Sequence, residues 1–206
     1  MRLTGNQFLD VVLFLALLLP SVILHEVMHG WLALRLGDHT ARRAGRLTLN
    51  PIRHIDPFGS VILPGLLALA RAPVFGWAKP VPVNPATFRN PLPGMALVAI
   101  GGPLTNLALA FGAARLVLPQ VTGTGARLTL GFVFLNVVLA VFNLLPIPPL
   151  DGSRVVRLFL PPKGRALLAQ VEPYGILIIF ALLFVFDEAF SFLVPLILGV
   201  VGWMIG

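Results

Sequence analysis

The sequence predicts an all-α polytopic membrane protein: a three-helix core followed by a C-terminal helical hairpin, with short β-strands and a re-entrant segment in the loop after the first helix. Three observations carry this. Of 206 residues, 57% are hydrophobic and 11% charged, against roughly 45–50% and 25% in soluble domains. Apolar stretches at 8–36, 95–118 and 128–145 come close to or exceed the about 20 residues a helix needs to cross a bilayer. Between the first two, the chain turns polar and proline-rich.

The first helix is expected over 8–36, kinked at Pro20-Ser21 and stopped by Gly37-Asp38. Its start lacks an A-x-A cleavage site, so it is expected to be retained. In 41–90 the alternation Arg46-Leu47-Thr48-Leu49 and the run Val81-Pro82-Val83-Asn84 read as short strands broken by prolines. Residues 59–70 are apolar but hold Pro64 and are too short to cross, which makes them re-entrant or interfacial. The second helix contains Gly101-Gly102-Pro103, expected to allow close packing and a kink. The third breaks at Pro146, Pro148 and Pro149. A tail over 174–206, split by Asp187-Glu188, forms the hairpin. All of 1–206 is thus one integral membrane domain, with its core at about 8–160.

Net charge is +7. The basic residues lie in loops without interleaved aromatics, which argues against nucleic acid and for lipid headgroups, Lys79 and Arg89 included. Phe75-Gly76-Trp77 reads as an interfacial anchor. If 59–70 does not cross, the segments 35–91 and 151–173 share one side and hold twelve of the fifteen Lys and Arg. The positive-inside rule makes that side cytosolic.

The first helix carries His25-Glu26-Val27-Met28-His29. Residues four apart share a helix face, so two imidazoles can hold one zinc with a carboxylate beside them as general base. With four His and three Glu in the chain, chance produces this pattern about once in a thousand such sequences. A carboxylate inside a membrane helix costs roughly 2.5–3.5 kcal/mol, which points to function. The chain has no Cys, so every ligand must offer nitrogen or oxygen.

A catalytic zinc needs a third protein ligand. Asp10 is too far along the same helix, and Asp187 and Glu188 fall on the other side. Asp38, His39, His54 and Asp56 read as turn and capping residues. Asp151, just past the broken inner end of the third helix, reaches the same side as His25; its competing role is to cap a short helix over 155–160. Asn106 and Asn136 read as helix-to-helix hydrogen-bonding residues.

HEVMH on one helix, GGPLTN on the next and NLLPIPPLDG after a third resemble the site-2 protease family of intramembrane zinc metalloproteases, in its compact prokaryotic form without PDZ or CBS domains. The likeness spans about 20–157. It implies one zinc per chain held by His25, His29 and Asp151, with Glu26 as catalytic acid and base and Asn143 on the substrate carbonyl or its oxyanion. It further implies transmembrane protein substrates, a place in the cell membrane, and an active site toward the cytosol. Ser153 stands where a second glycine often follows LDG.

Two other readings use the same side chains. A catalytically silent scaffold would bind membrane helices, but every expected catalytic residue is present. A metal-ion transporter needs a polar path across the bilayer, and the outer helix halves offer little.

Overall fold

The structure, a computed structural model, describes residues 6–69, 76–184 and 191–206. Arg2, Phe75, Asp187 and Glu188, and with them the expected split of the tail, lie outside the described residues.

Helix α1 (Gln7–Arg35) is 29 residues long, about 43 Å at 1.5 Å per residue. It remains helical through Pro20, where Ser21 Oγ donates to Leu17 O at 2.8 Å. It ends as its sequence implies. Gly37 takes φ 99°, while Asp38 N–H donates to Ala33 O and Gly37 N–H to Leu34 O. That pair of bonds around a left-handed glycine is a Schellman stop.

The following loop holds α2 (Thr40–Arg43), a 3-10 turn (Pro51–His54), and a π-helical turn (Pro57–Ile62) that runs into α3 (Leu63–Leu69). Asp56 caps that helical stretch by accepting Gly59 N–H at 2.7 Å. The stretch is apolar and shorter than a bilayer crossing.

No strand forms among the described residues, contrary to the expectation for 46–49 and 81–84. The alternation of Val81-Pro82-Val83 has the period of a strand, but Pro80 and Pro82 remove successive donors from one edge. Other N–H groups of the segment go to separate partners: Trp77 to Gly59 O, Lys79 to His54 O, Val81 to Glu26 and Asn84 to Asp38. The segment 76–84 is an extended strap instead of a ladder.

Helix α4 (Pro91–Gly112) starts on a proline that loses no bond at that position and continues through irregular turns to Gln120. Helix α5 (Gly123–Asn143) stops just before the proline-rich turn. Helix α6 (Asp151–Val156) follows, then α7 (Pro162–Val171) and α8 (Gly175–Phe184), joined by a 3-10 turn, and α9 (Leu193–Ile205). The helical run therefore begins at Pro162, earlier than the expected 174. Its first part carries Lys163 and Arg165 while α8 is wholly apolar.

Among the described residues, four helical stretches are long and apolar enough to cross a membrane: Leu9–Arg35, Pro91–Gln120, Gly123–Asn143 and Pro162–Leu182. Helix α4 is central, packed against α1, α5 and α6, and α5 also meets α9. One core joins Ala110 and Ala114 to Val133 and Val137 and to Leu193 and Ile197; another joins Ala33, Phe88 and Val98. Large apolar side chains such as Leu15, Leu116 and Trp203 face outward, as lipid contact requires.

Candidate metal centre

The helical period brings His25 and His29 to one face of α1, with ring centroids 4.6 Å apart and planes nearly perpendicular. The turn after α5 delivers Asp151 to the same point. Its Oδ2 lies 3.1 Å from His25 Nε2 and 3.2 Å from His29 Nε2. All three residues are buried, at 7%, 7% and 6% exposure. This is the grouping among the described residues that could hold a metal ion.

Glycines make the approach possible. A Cβ on Gly102 of α4 would stand 2.5 Å from His25 Nε2 and 2.6 Å from His29 Cε1. One on Gly152 would lie 2.1 Å from Leu144 O, so only glycine lets the chain turn back under α5 after Asp151. Ser153 fits where it stands, its Oγ donating to Leu150 O at 2.8 Å.

The ring tautomers follow from fixed acceptors. His29 Nδ1 lies 2.8 Å from Val98 O, a carbonyl that can only accept, so Nδ1 carries the proton. Asn106 Nδ2 faces Ser21 O at 3.3 Å, which turns Asn106 Oδ1 toward His25 Nδ1 at 2.6 Å. His25 Nδ1 therefore donates as well. Asn136 supports this arrangement: its Oδ1 accepts from Asn106 at 2.8 Å, and its Nδ2 donates to Ser21 Oγ and to Phe132 O, both at 2.9 Å. The chain of bonds crosses α1, α4 and α5.

With both Nδ1 atoms donating, each imidazole presents its Nε2 to the Asp151 carboxylate. Three potential ligand atoms thus converge on one buried point. The spacing suits a shared divalent cation as well as a hydrogen bond. Tetrahedral zinc with nitrogen and oxygen ligands at about 2.0–2.1 Å has ligand-to-ligand edges of roughly 3.3 Å. The two edges here are 3.1 and 3.2 Å. Such a site wants its imidazoles held from behind by hydrogen bonds to Nδ1, which Asn106 and Val98 O provide.

Glu26, half-buried beside His25, accepts the Val81 N–H on Oε2 at 2.9 Å. Asn143 ends α5, and its Nδ2 donates to Leu139 O at 2.9 Å; among the described residues no hydrogen bond joins it to the three converging residues. Asp38, His54 and Asp56 bond within the loop: Asp38 to Thr40 and Asn84, His54 to Thr48 O, Asp56 to Gly59. Asn106 and Asn136 link the helices, as their place in apolar helices implies, and they also set the tautomer of His25. A polar amide within an apolar helix, one helix away from HExxH, was the available signal. Val98 O and Val81 N–H are backbone groups and leave no such mark.

Comparison with known proteins agrees with this arrangement. A model of peptidase family M50 matches residues 120–186. Over 178 residues the chain is 45% identical to "Putative zinc metalloprotease YwhC" of Bacillus subtilis, covering 82% of this chain and 78% of that one. The chain belongs to peptidase family M50. A second relative, "Putative zinc metalloprotease Rip2" of Mycobacterium tuberculosis (strain H37Rv), is 33% identical over 194 residues, 90% of this chain and 70% of its own. "Putative zinc metalloprotease MJ0611" of Methanocaldococcus jannaschii is 43% identical over 63 residues, 29% of this chain and 32% of its own. No solved structure gives a significant match. With four helices long and apolar enough to span, this M50 member is a multi-pass membrane protein.

Proposed function

We propose that this chain is an intramembrane zinc endopeptidase that hydrolyses peptide bonds in or near transmembrane segments of membrane-protein substrates. The observation that carries the reading is the convergence of His25 Nε2, His29 Nε2 and Asp151 Oδ2 on one buried point, with the Glu26 carboxylate beside it. His25, His29 and Asp151 hold one zinc, which when bound supplies Lewis acidity toward a water and a peptide carbonyl.

The chain's own residues do the rest. Glu26 accepts the proton of the attacking water and returns it to the departing amine. Asn106 and Val98 O keep the imidazoles in the tautomer that offers Nε2. Asn143 uses one amide hydrogen on Leu139 O and has a second for the substrate carbonyl oxygen. An intact substrate helix shields its peptide bonds, so the cleaved stretch must unwind, and it lies beside the strap 76–84 that borders Glu26. The whole chain acts as a single membrane domain, with the apolar stretch that starts at Gly59 re-entrant or interfacial and not crossing the bilayer. The basic loops and the site face the cytosol.

The test is to purify wild type, Glu26→Gln and Asp151→Ala, measure bound zinc, and offer a panel of single-span substrates. The reading expects about one zinc per chain and no cleavage for Glu26→Gln, and weakened zinc binding for Asp151→Ala. Wild type that binds substrate helices without cutting any would make the chain a scaffold. Zinc uptake into vesicles at the wild-type rate by Glu26→Gln would make it a transporter.

A further inference from the structure

The strap between residues 76 and 84 is seated on α1 at the turn that carries Glu26. Val81 is 8% exposed, and its Cγ1 would come within 3.0 Å of a Cβ on Gly30, one helical turn beyond Glu26. Its N–H donates to Glu26 Oε2 at 2.9 Å. The strap is tied on both sides of that contact. On one side, the buried Arg46 gives Nη2 to the carbonyls of Lys79 and Pro80, and Lys79 N–H donates to His54 O at 2.9 Å. On the other, Asn84 N–H donates to Asp38 Oδ2 at 2.6 Å.

Pro80 and Pro82 have no N–H. Of the three residues 80–82, only Val81 can donate, and a slip of one position either way would bring a proline ring against the carboxylate. The Pro-Val-Pro order therefore permits one register.

Resting on the reading of Glu26 as general base, we infer that the backbone amide of Val81 is a positioning group for that carboxylate. A carboxylate has two oxygens. The amide holds Oε2, which fixes the plane of the group and directs the other oxygen to proton transfer. Without the amide, Glu26 is free to turn among rotamers, and the fraction of time in the productive one falls. Such a loss acts on turnover and leaves substrate binding and zinc retention in place.

The experiment uses the full chain in lipid vesicles or detergent. Val81 is replaced by its α-hydroxy acid analogue, which turns the N–H into an ester oxygen while keeping the side chain. This variant is expected to lower kcat roughly tenfold, about 1.4 kcal/mol, with KM and zinc content within about twofold of wild type. Val81→Ala, which keeps the N–H, should lose less. Independently of activity, hydrogen exchange at the Val81 amide should be slow in wild type and about tenfold or more faster in Glu26→Ala.

Wild-type kcat in the ester variant would overturn the inference. So would a raised kcat, which would mark the strap as an obstruction, or a loss that appears in KM or zinc content. Exchange at Val81 that ignores Glu26 would also overturn it. A wild type that binds zinc and protects Val81 through Glu26, yet cleaves nothing, would sink the protease reading and leave the contact standing.

Discussion

Asn106 Oδ1 accepts the Nδ1 proton of His25 at 2.6 Å, joining two residues 81 positions apart in the chain. The bond orients the ring and fixes its tautomer, because the other end of the amide is committed to Ser21 O and Asn136. Asn106→Ala should weaken zinc binding by about 10–100-fold, the usual cost of losing such a support. Asn136→Ala, one bond further away, should weaken it less. Competition with a graded series of chelators measures both.

Gly102→Ala would place a methyl group 2.5 Å from His25 Nε2. The neighbours are rings already fixed from behind, so they cannot yield without losing their bonds. Zinc retention and cleavage should both fall at least about tenfold. Gly112→Ala, with nothing within 4 Å of the new Cβ on the same helix, should change neither.

Asp38 ties the end of α1 to the strap and gives the fold a pH dependence outside the membrane. Burial raises its carboxyl, but donors from Thr40 and the Asn84 N–H outweigh this and hold it below the ordinary 3.8. Its stabilisation is therefore fully present above about pH 4 and is lost as pH falls through the lowered folded-state value. Asp38→Asn should destabilise the protein by on the order of 2 kcal/mol near neutral pH. The gap from wild type should shrink in strongly acidic buffer, as read by thermal melts in detergent across pH.

Much of this centre was legible beforehand. The i, i+4 spacing placed His25 and His29 together, and NLLPIPPLDG pointed to Asp151. Gly37-Asp38 marked the end of α1 in the sequence, and Gly37 takes a left-handed φ of 99° there. Residues 81–84 form a strap and not the strand expected, because Val-Pro alternation imitates the two-residue period of a strand while deleting the donors a ladder needs. The parts that hold the site from behind, Val98 O and Val81 N–H, belong to the backbone and depend on which segments meet. The apolar tail reads as starting at Tyr174, and the turn Glu172–Tyr174 instead joins α7 to α8 in one run.

Removing metal should be more than an activity switch. A cation held by His25 and His29 of α1 and by Asp151 of α6 would tie together elements packed on α4, so chelation should loosen the junction of α1, α4 and α6. A chelator-treated sample is expected to melt several degrees lower, and added zinc should restore both melting temperature and cleavage. Magnesium should restore neither, since it favours six oxygen ligands and retains its waters.

Zinc-edge X-ray absorption on the purified chain, with zinc content measured on the same sample, tests the central claim most directly. The result predicted is about one zinc per chain, bound by two imidazoles and light oxygen donors at roughly 2.0–2.1 Å, with the signal lost or rearranged in Asp151→Ala. Zinc bound with no imidazole in its coordination shell, or a spectrum and stoichiometry unchanged by Asp151→Ala, would contradict it.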